Sequence, residues 1–416
     1  MKTTFSALFL AAVLSAVALA ANKPVSPRPH QTELLYASLG ERILGYSIDP
    51  DNASLTYLSE ISAPANVQFA VKNNAGDILY VVSSNAGSGT LGAKGDTHAL
   101  NSYKIDTGTG ELKQFGAAIA LPERPINLGL DHQNHFAVVA YNQSATLSVH
   151  PIKDDGSVSP AVAQNQVPEA GIFTHQVTFT PGDKTVVALA RGNDAVGQVP
   201  DQPGSINTFN IDDEGRLSKL MTSAIDPGVG PRHLAYHPSQ PWVYVSMERG
   251  SKLYMYPLES NGTLATRPAF HVDTLQDKAN LETPRQRGGV IQINHNGKFL
   301  YVTNRADATI EQDGKQVSAG GENNVVVFSI DPVTGEPKLI QIIDARGIEG
   351  RTMKVDPSGK LLVVANQKTV WIKDGDSLRK SRSNLAIFRI QEDGKLDFVR
   401  KYEMDDEKKS LLWMDI

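Results

Sequence analysis

The stretch HQVTFTPGDKTVVALAR at 175–191 decides the fold, because its pattern recurs along the chain. An alternating run meets a Pro-Gly-Asp-Lys turn, and a second, β-branched run ends on a polar side chain. The phrase returns as LAYHPSQPWVYVSME (234–248), IQINHNGKFLYVTNR (291–305) and MKVDPSGKLLVVANQ (353–367), with weaker copies FAVKNNAGDILYVVSSN (69–85) and LGLDHQNHFAVVAYN (128–142). Successive copies lie about 50 to 60 residues apart. Between them sits a second phrase, a strand-like run closing on an acidic or glycine turn, as in YKIDTGTGEL, FNIDDEGRL, FSIDPVTGEP and FRIQEDGKL. Asp-Gly, Asn-Gly and Thr-Gly pairs flanked by period-two apolar residues signal hairpins. Four short strands per unit, repeated with hardly any helical periodicity, predict an all-β fold: a seven-bladed β-propeller with four-stranded antiparallel blades.

Working outward, Glu33 to Leu39 reads as a lone leading strand, and the last unit, Asn384 to Ile416, lacks a full complement. The N-terminal strand is therefore expected to complete the final blade and close the ring, hiding two sheet edges. Residues 33–416 form one domain in this reading. Ahead of it, Lys2, the apolar run Phe5 to Val17 and Ala18-Leu19-Ala20 have the charge, length and small-x-small ending of a secretory leader (1–20), followed by a polar linker (21–32). A periplasmic or secreted protein is expected, with no membrane attachment after cleavage.

Composition narrows the function classes. The chain has 416 residues, 40% of them hydrophobic, 34 glycines and a net charge of −5. That charge, with Lys and Arg dispersed, is no footprint for nucleic acid or an anionic membrane. Zero cysteines exclude disulfides, thiolate metal ligands and a cysteine nucleophile. The ten histidines are scattered without the spacing of a zinc site. Acidic turns such as Asp212-Asp-Glu-Gly are explained by turn conformation before calcium need be invoked. Neither a metal nor a cofactor is expected, and the partner is a small molecule met by a monomer or weak dimer.

Aligned on the turn, the copies carry Val67, Ile126, His175, Arg232, Gly289 and Arg351 at one first-strand position. In a propeller that strand lines the channel, so His and Arg there suggest a polar wall. The second strand, running back, ends at Asn142, Arg191, Glu248, Arg305 and Gln367, on the same rim. Glu248 is the one carboxylate among these. Strand parity adds Arg287, with Arg285 on the same face, whereas His233 is expected on the opposite face as a structural histidine between blades. Long loops at 87–97, 192–204, 306–321 and 368–382 emerge at this rim as candidate lids.

At these residues the chain resembles the propeller lactonases, a family that includes bacterial 6-phosphogluconolactonases and fungal carboxy-muconate lactonizing enzymes. The resemblance runs from about Leu34 to Trp413. It rests on Gly228-Val-Gly-Pro-Arg-His233 with His237-Pro238, on the rim phrase ending in Glu248, on His175-Gln-Val, on Asp356-Pro-Ser-Gly-Lys with Ala365-Asn366, and on Trp413. It implies a cleft of one His, two Arg and one Glu. His175, Arg232 and Glu248 match directly, and Arg287 is taken as the fourth although LETPRQRGG departs from the family pattern. Substrate contacts are then expected from Asn142, Arg191, Arg285, Arg305, Arg351 and Gln367. The implied chemistry is opening of a sugar lactone, for which Glu248 or His175 could be the base; Glu248 is taken as base, His175 as proton donor and the arginines as an electrophilic clamp. Lactonization of a carboxylated muconate, or a non-catalytic platform for a glycan or protein, are the competing readings.

Overall fold

The computed structural model describes residues 33–87, 92–195, 197–404 and 409–416. The expected leader and linker, 1–32, lie outside them. Among the described residues nearly every regular element is a strand, and one short 3-10 turn, Lys278–Glu282, is the exception. Six sheets follow one another along the chain as blades 1 to 6, at 67–120, 125–151, 174–224, 231–273, 286–344 and 348–403; a closing blade combines 33–62 with 414–415. Each of blades 1 to 6 begins with its innermost strand. These first strands touch in succession round the ring: Val67–Lys72, Pro125–Leu130, Thr174–Phe179, Pro231–Tyr236, Gln286–Ile293, Ile348–Val355, then Met414–Asp415.

Burial explains the strand composition. Second strands such as Ile78–Ser84 and Thr185–Ala190 are buried at every residue, because neighbouring blades cover both faces, and they read as continuous apolar runs. Outer strands such as Leu112–Ala120 are mostly exposed and carry the polar alternation. Blades are also stapled by a repeated hydrogen bond. The hydroxyls of Tyr36, Tyr80, Tyr244 and Tyr301 donate to the carbonyls of Gly110, Gly156, Gly335 and Gly394 at the outer turns of the following blades, at 2.7 to 3.2 Å. The acidic turn residues meet local needs too: Asp106 accepts from the N–H groups of Gly108 and Thr109, and Asp331 from those of Val333 and Thr334.

The ring closes where Glu33–Leu39 pairs antiparallel with Met414–Asp415. The N–H of Ser38 donates to the Trp413 carbonyl at 2.8 Å, and the Trp413 N–H donates to Ser38 Oγ at 3.0 Å. The sharing of strands differs from the expected arrangement. Blade 6 is complete without help, and the N-terminal segment builds three strands of a seventh blade whose innermost strand comes from the C-terminus. Trp413 is fully buried there, packed in one cluster with Tyr36 and Ile43 of the closing blade and Val67, Leu79 and Tyr103 of blade 1.

Two further expectations need correction. Blade 2 has three strands; beyond Thr146–Pro151 the chain makes only isolated bridges, Thr146 to Glu169 and Ile152 to Val158. The loops at 306–321 and 368–382 are ordered hairpins, Thr309–Gln312 with Lys315–Ser318 and Val370–Asp374 with Ser377–Ser381, joined into an accessory sheet by a parallel bridge between Val317 and Trp371. Glycine richness there marks tight turns, Asp313-Gly314 and Gly375, that hairpins require. Because Trp413 plugs the seam, Trp413→Ala is expected to lower unfolding free energy by about 3–5 kcal/mol, as for other large buried aromatics; denaturant unfolding of the purified protein measures it.

Candidate active site

Every inner strand but the short C-terminal one carries an irregularity at an equivalent place. The antiparallel register skips Gln68, Ile126, His175, Arg232 and Arg351, and in blade 5 it shifts between Gly288 and Ile291. A β-bulge of this kind leaves one residue unpaired and re-aims its side chain. Gln68 stands to the turn at Asn73 as His175 stands to Thr180 and Arg351 to Asp356. The blade 1 member of the set is thus Gln68, not Val67, because the turn at Asn73 has the same length as the others and makes Ala70, not Phe69, the counterpart of Val177 and Met353. In blade 5 glycines replace the polar residue: a Cβ on Gly288 would lie 2.5 Å from the Met247 carbonyl, and one on Gly289 2.0 Å from Thr303 Oγ1.

The second-strand ends meet these bulges at the rim, as the repeat predicts. Glu248 is the hub. Its Oε2 lies 3.0 Å from Arg232 Nε and 3.2 Å from Arg305 Nη2, and its Oε1 lies 3.7 Å from Arg191 Nε. Burial alone would raise its pKa. The charges of Arg305, Arg191, Arg232 and Arg287 outweigh burial and hold the carboxyl well below its ordinary value. Arg305 also donates to Glu349 Oε1 at 2.8 Å, with Arg351 Nη1 3.9 Å from the same oxygen. Arg191 stacks on Phe173, 3.9 Å from the ring centre.

Above this network a cavity of about 470 Å³ opens, lined by Gln68, Arg124, Asn142, His175, Arg191, Arg285, Arg305, Asp307, Glu349, Arg351 and Gln367 among others. Of the expected residues it brings together His175, Asn142, Arg191, Arg285, Arg305, Arg351 and Gln367. Arg232 and Glu248 stand behind the wall, and Glu248 orders the arginines that face the cavity. Arg287 is off the wall as well, ion-paired with Asp194 of the loop after blade 3's second strand, where Arg249 joins it. Arg285 does face the cavity, bidentate to Asp307 at 2.5 and 2.7 Å. Asp307 is held down to about 2: burial opposes this, and the Arg285 hydrogen bonds with Lys368 prevail.

His175 has an unpaired ring nitrogen. Its Nδ1 is buried with no hydrogen-bond partner among the described residues. Burial, then the charges of Arg232, His233, Arg351 and Arg191, push its pKa well below the ordinary histidine value, so the imidazole is neutral. His233 is not between blades, as parity implied. A bulge breaks alternation, and His233 packs edge-on to His175 at 5.0 Å with Nδ1 3.2 Å from Arg232 Nη1. It lines a second cavity of about 130 Å³ deeper in the channel, beside Val290 and Trp413.

Among the wall residues that escaped the sequence reading are Gln68, Arg124, Asp307 and Glu349. Gln68 was hidden by the misaligned turn. Arg124 precedes a first strand, Asp307 follows a second one, and Glu349 stands in the first strand of blade 6 two residues before the bulge, all outside the positions compared. Glu349 and two other wall residues, Phe173 and Arg285, have left-handed backbones with φ of 63°, 55° and 59°. Such strain in non-glycine residues, of order 1–3 kcal/mol each, gathers at functional sites. No group of three or more His, Asp or Glu suited to a metal ion occurs among the described residues.

Glu248→Gln keeps the shape and removes the charge, stranding three arginines. The expected loss is about 3–5 kcal/mol at neutral pH. Since the Glu248 pKa is depressed by folding, its contribution is complete above about pH 4, the unfolded-state value, and fades as pH falls further. The stability gap between wild type and variant, measured by denaturant unfolding across pH 2–7, is therefore expected to narrow below pH 4.

Comparison with known proteins agrees with this architecture. The family model described as lactonase, seven-bladed β-propeller, matches residues 33–373. The 6-phosphogluconolactonase of Bacillus subtilis is 26% identical over 368 residues, covering 86% of this chain and 90% of its own. That of Pectobacterium atrosepticum is 27% identical over 326 residues, covering 77% and 83%. Among solved structures, the periplasmic gluconolactonase of Pseudomonas aeruginosa superimposes with a TM-score of 0.69 at 22% identity, covering 89% of this chain and 96% of that one. A protein from Lactobacillus plantarum gives 0.68 at 21% identity, covering 92% and 98%. With the family model spanning most of the chain and the bulge-built polar cavity in its channel mouth, the protein belongs to the seven-bladed β-propeller lactonase family.

Proposed function

We propose that the protein is an exported hydrolase of sugar lactones such as glucono-1,5-lactone or its 6-phosphate, acting in the mouth cavity. Family membership sets the reaction class, hydrolysis of a cyclic carboxylic ester. The observation that carries the rest is His175: a neutral, unpaired imidazole on the wall of a cavity otherwise rich in guanidinium groups.

The charge arrangement revises the roles expected from sequence. Glu248 is ionised, but it stands off the cavity wall with its oxygens against Arg232, Arg305 and Arg191. Its role here is to position Arg191 and Arg305. His175 takes the proton from water as the oxygen attacks the lactone carbonyl. Arg191 and Arg305 stabilise the oxyanion of the tetrahedral intermediate. Collapse breaks the bond between the carbonyl carbon and the ring oxygen, and the imidazolium, made acidic by the surrounding cations, returns its proton to the leaving alkoxide.

Polyol lactones suit the remaining wall. Gln68 Nε2 donates to the Asn66 carbonyl at 2.9 Å, which leaves Oε1 buried and unpartnered, and the carbonyl oxygens of Asn142 and Gln367 are in the same state. Unpaired acceptors call for hydroxyl donors. A sugar lactone offers several, whereas a carboxylated muconate offers acceptors only. Export is supported by the leader-like residues 1–20 and by the solved relative described as periplasmic.

The test is a pH-stat assay of the purified protein on glucono-1,5-lactone and its 6-phosphate. Hydrolysis above background is expected, with His175→Ala lowering kcat/KM by about 10²–10⁴-fold, the usual reach of general acid–base catalysis. Because His175 stays neutral, kcat/KM is expected to show no inflection near pH 6.5. Absence of turnover on both lactones would favour a non-catalytic binding platform.

A further inference from the structure

The cavity wall carries seven cations, Arg124, Arg191, Arg285, Arg305, Arg351, Lys368 and Lys409, against two carboxylates, Asp307 and Glu349. Six of the seven have a carboxylate within 4.0 Å, counting Glu248 behind the wall and Glu41, which pairs with Lys409. Arg124 has none among the described residues. It is 4% exposed, and its Nε is buried without any partner. Burial, and then repulsion by Arg351, lower its pKa to about 10, which still leaves it charged at neutral pH. A guanidinium taken out of water with neither a counter-ion nor hydrogen bonds is costly, and an anion in the cavity would relieve that cost.

Its place in the ring says which part of a ligand it meets. Arg124 immediately precedes the inner strand of blade 2, and Arg351 is the bulge residue of blade 6. These blades are three steps apart round the ring, the widest separation seven blades permit. The two guanidinium groups reach the cavity from opposite sides. His175, Arg191 and Arg305, which handle the ester, belong to blades 3 and 5. A lactone seated with its carbonyl at His175 thus has a cation available for another part of the molecule.

The compartment implied by the leader disfavours a sugar phosphate, and the unpaired cation disfavours a neutral aldonolactone. A terminal carboxylate meets both conditions, and guanidinium binds carboxylate with two parallel hydrogen bonds. Resting on the lactonase reading above, we propose that Arg124, facing Arg351, forms a carboxylate subsite that selects lactones of sugar diacids, such as glucarolactone, over lactones of simple aldonic acids.

Calorimetric titration with the open-chain products separates the possibilities: gluconate, glucarate and 6-phosphogluconate share a carbon chain and differ at carbon six. Wild type is expected to bind glucarate at least about tenfold more tightly than gluconate, a difference of about 1.4 kcal/mol. In Arg124→Gln the ratio is expected to fall to near one, and Arg124→Lys is expected to restore part of it, which separates lost recognition from lost folding. Equal binding of glucarate and gluconate by wild type, no binding of either, or a glucarate preference that survives in Arg124→Gln would overturn the proposal. So would an Arg124-dependent preference for 6-phosphogluconate over glucarate. Hydrolysis of glucono-1,5-lactone, measured in parallel, reports on the lactonase reading independently of these ratios.

Discussion

The pairing of Glu33–Leu39 with Met414–Asp415 is the constraint on which the rest of the molecule depends. A propeller blade is a small sheet that cannot bury both faces alone, and each blade is covered only if the ring is complete. Drawing the first and last strands of the propeller together through Ser38 and Trp413 gives every second strand two apolar neighbours. It also fixes the circumference of the channel. Side chains from adjacent blades can then be held at hydrogen-bond distances, as Glu248 of blade 4 and Arg305 of blade 5 are.

Within that ring, one local device recurs with different cargo. The inner-strand bulge carries Gln68, Ile126, His175, Arg232 and Arg351 in turn, and leaves glycine in blade 5. A bulge lets a strand keep its apolar alternation against its neighbours and still offer one side chain to the channel. The site is assembled by changing a single residue in each repeat. The glycine pair of blade 5 is part of the same scheme, because close approach of its strand lets the Gly288 N–H donate to the Glu248 carbonyl at 2.8 Å.

Electrostatics then divides the residues into those that hold and those that face ligand. Glu248 and Glu349 hold arginines in place, and the balance remains cationic. Burial, and then that excess, keep His175 neutral and make an imidazolium there a ready proton donor. The division depends on burial, since the same charges in open water would be screened to little effect.

The sequence by itself determined the architecture and the two rings of candidate positions. Strand alternation and turn chemistry are local, and a pattern repeated through the chain can be read without knowing what packs where. His175, Arg191, Arg305 and Arg351 were found this way and do face the cavity. Only the tertiary structure decided which candidates touch the cavity and which stand behind it, because that depends on bulges and on contacts between blades. Parity counted through a bulge is off by one, which misplaced His233, and a blade 1 phrase begun one residue early, at Phe69, hid Gln68. Parity is also silent on ion pairs, so it could not see that Arg287 is claimed by Asp194. Arg124 and Glu349 lie outside the repeated positions, and what singles them out, a missing counter-ion and a strained backbone, exists only once the ring has closed.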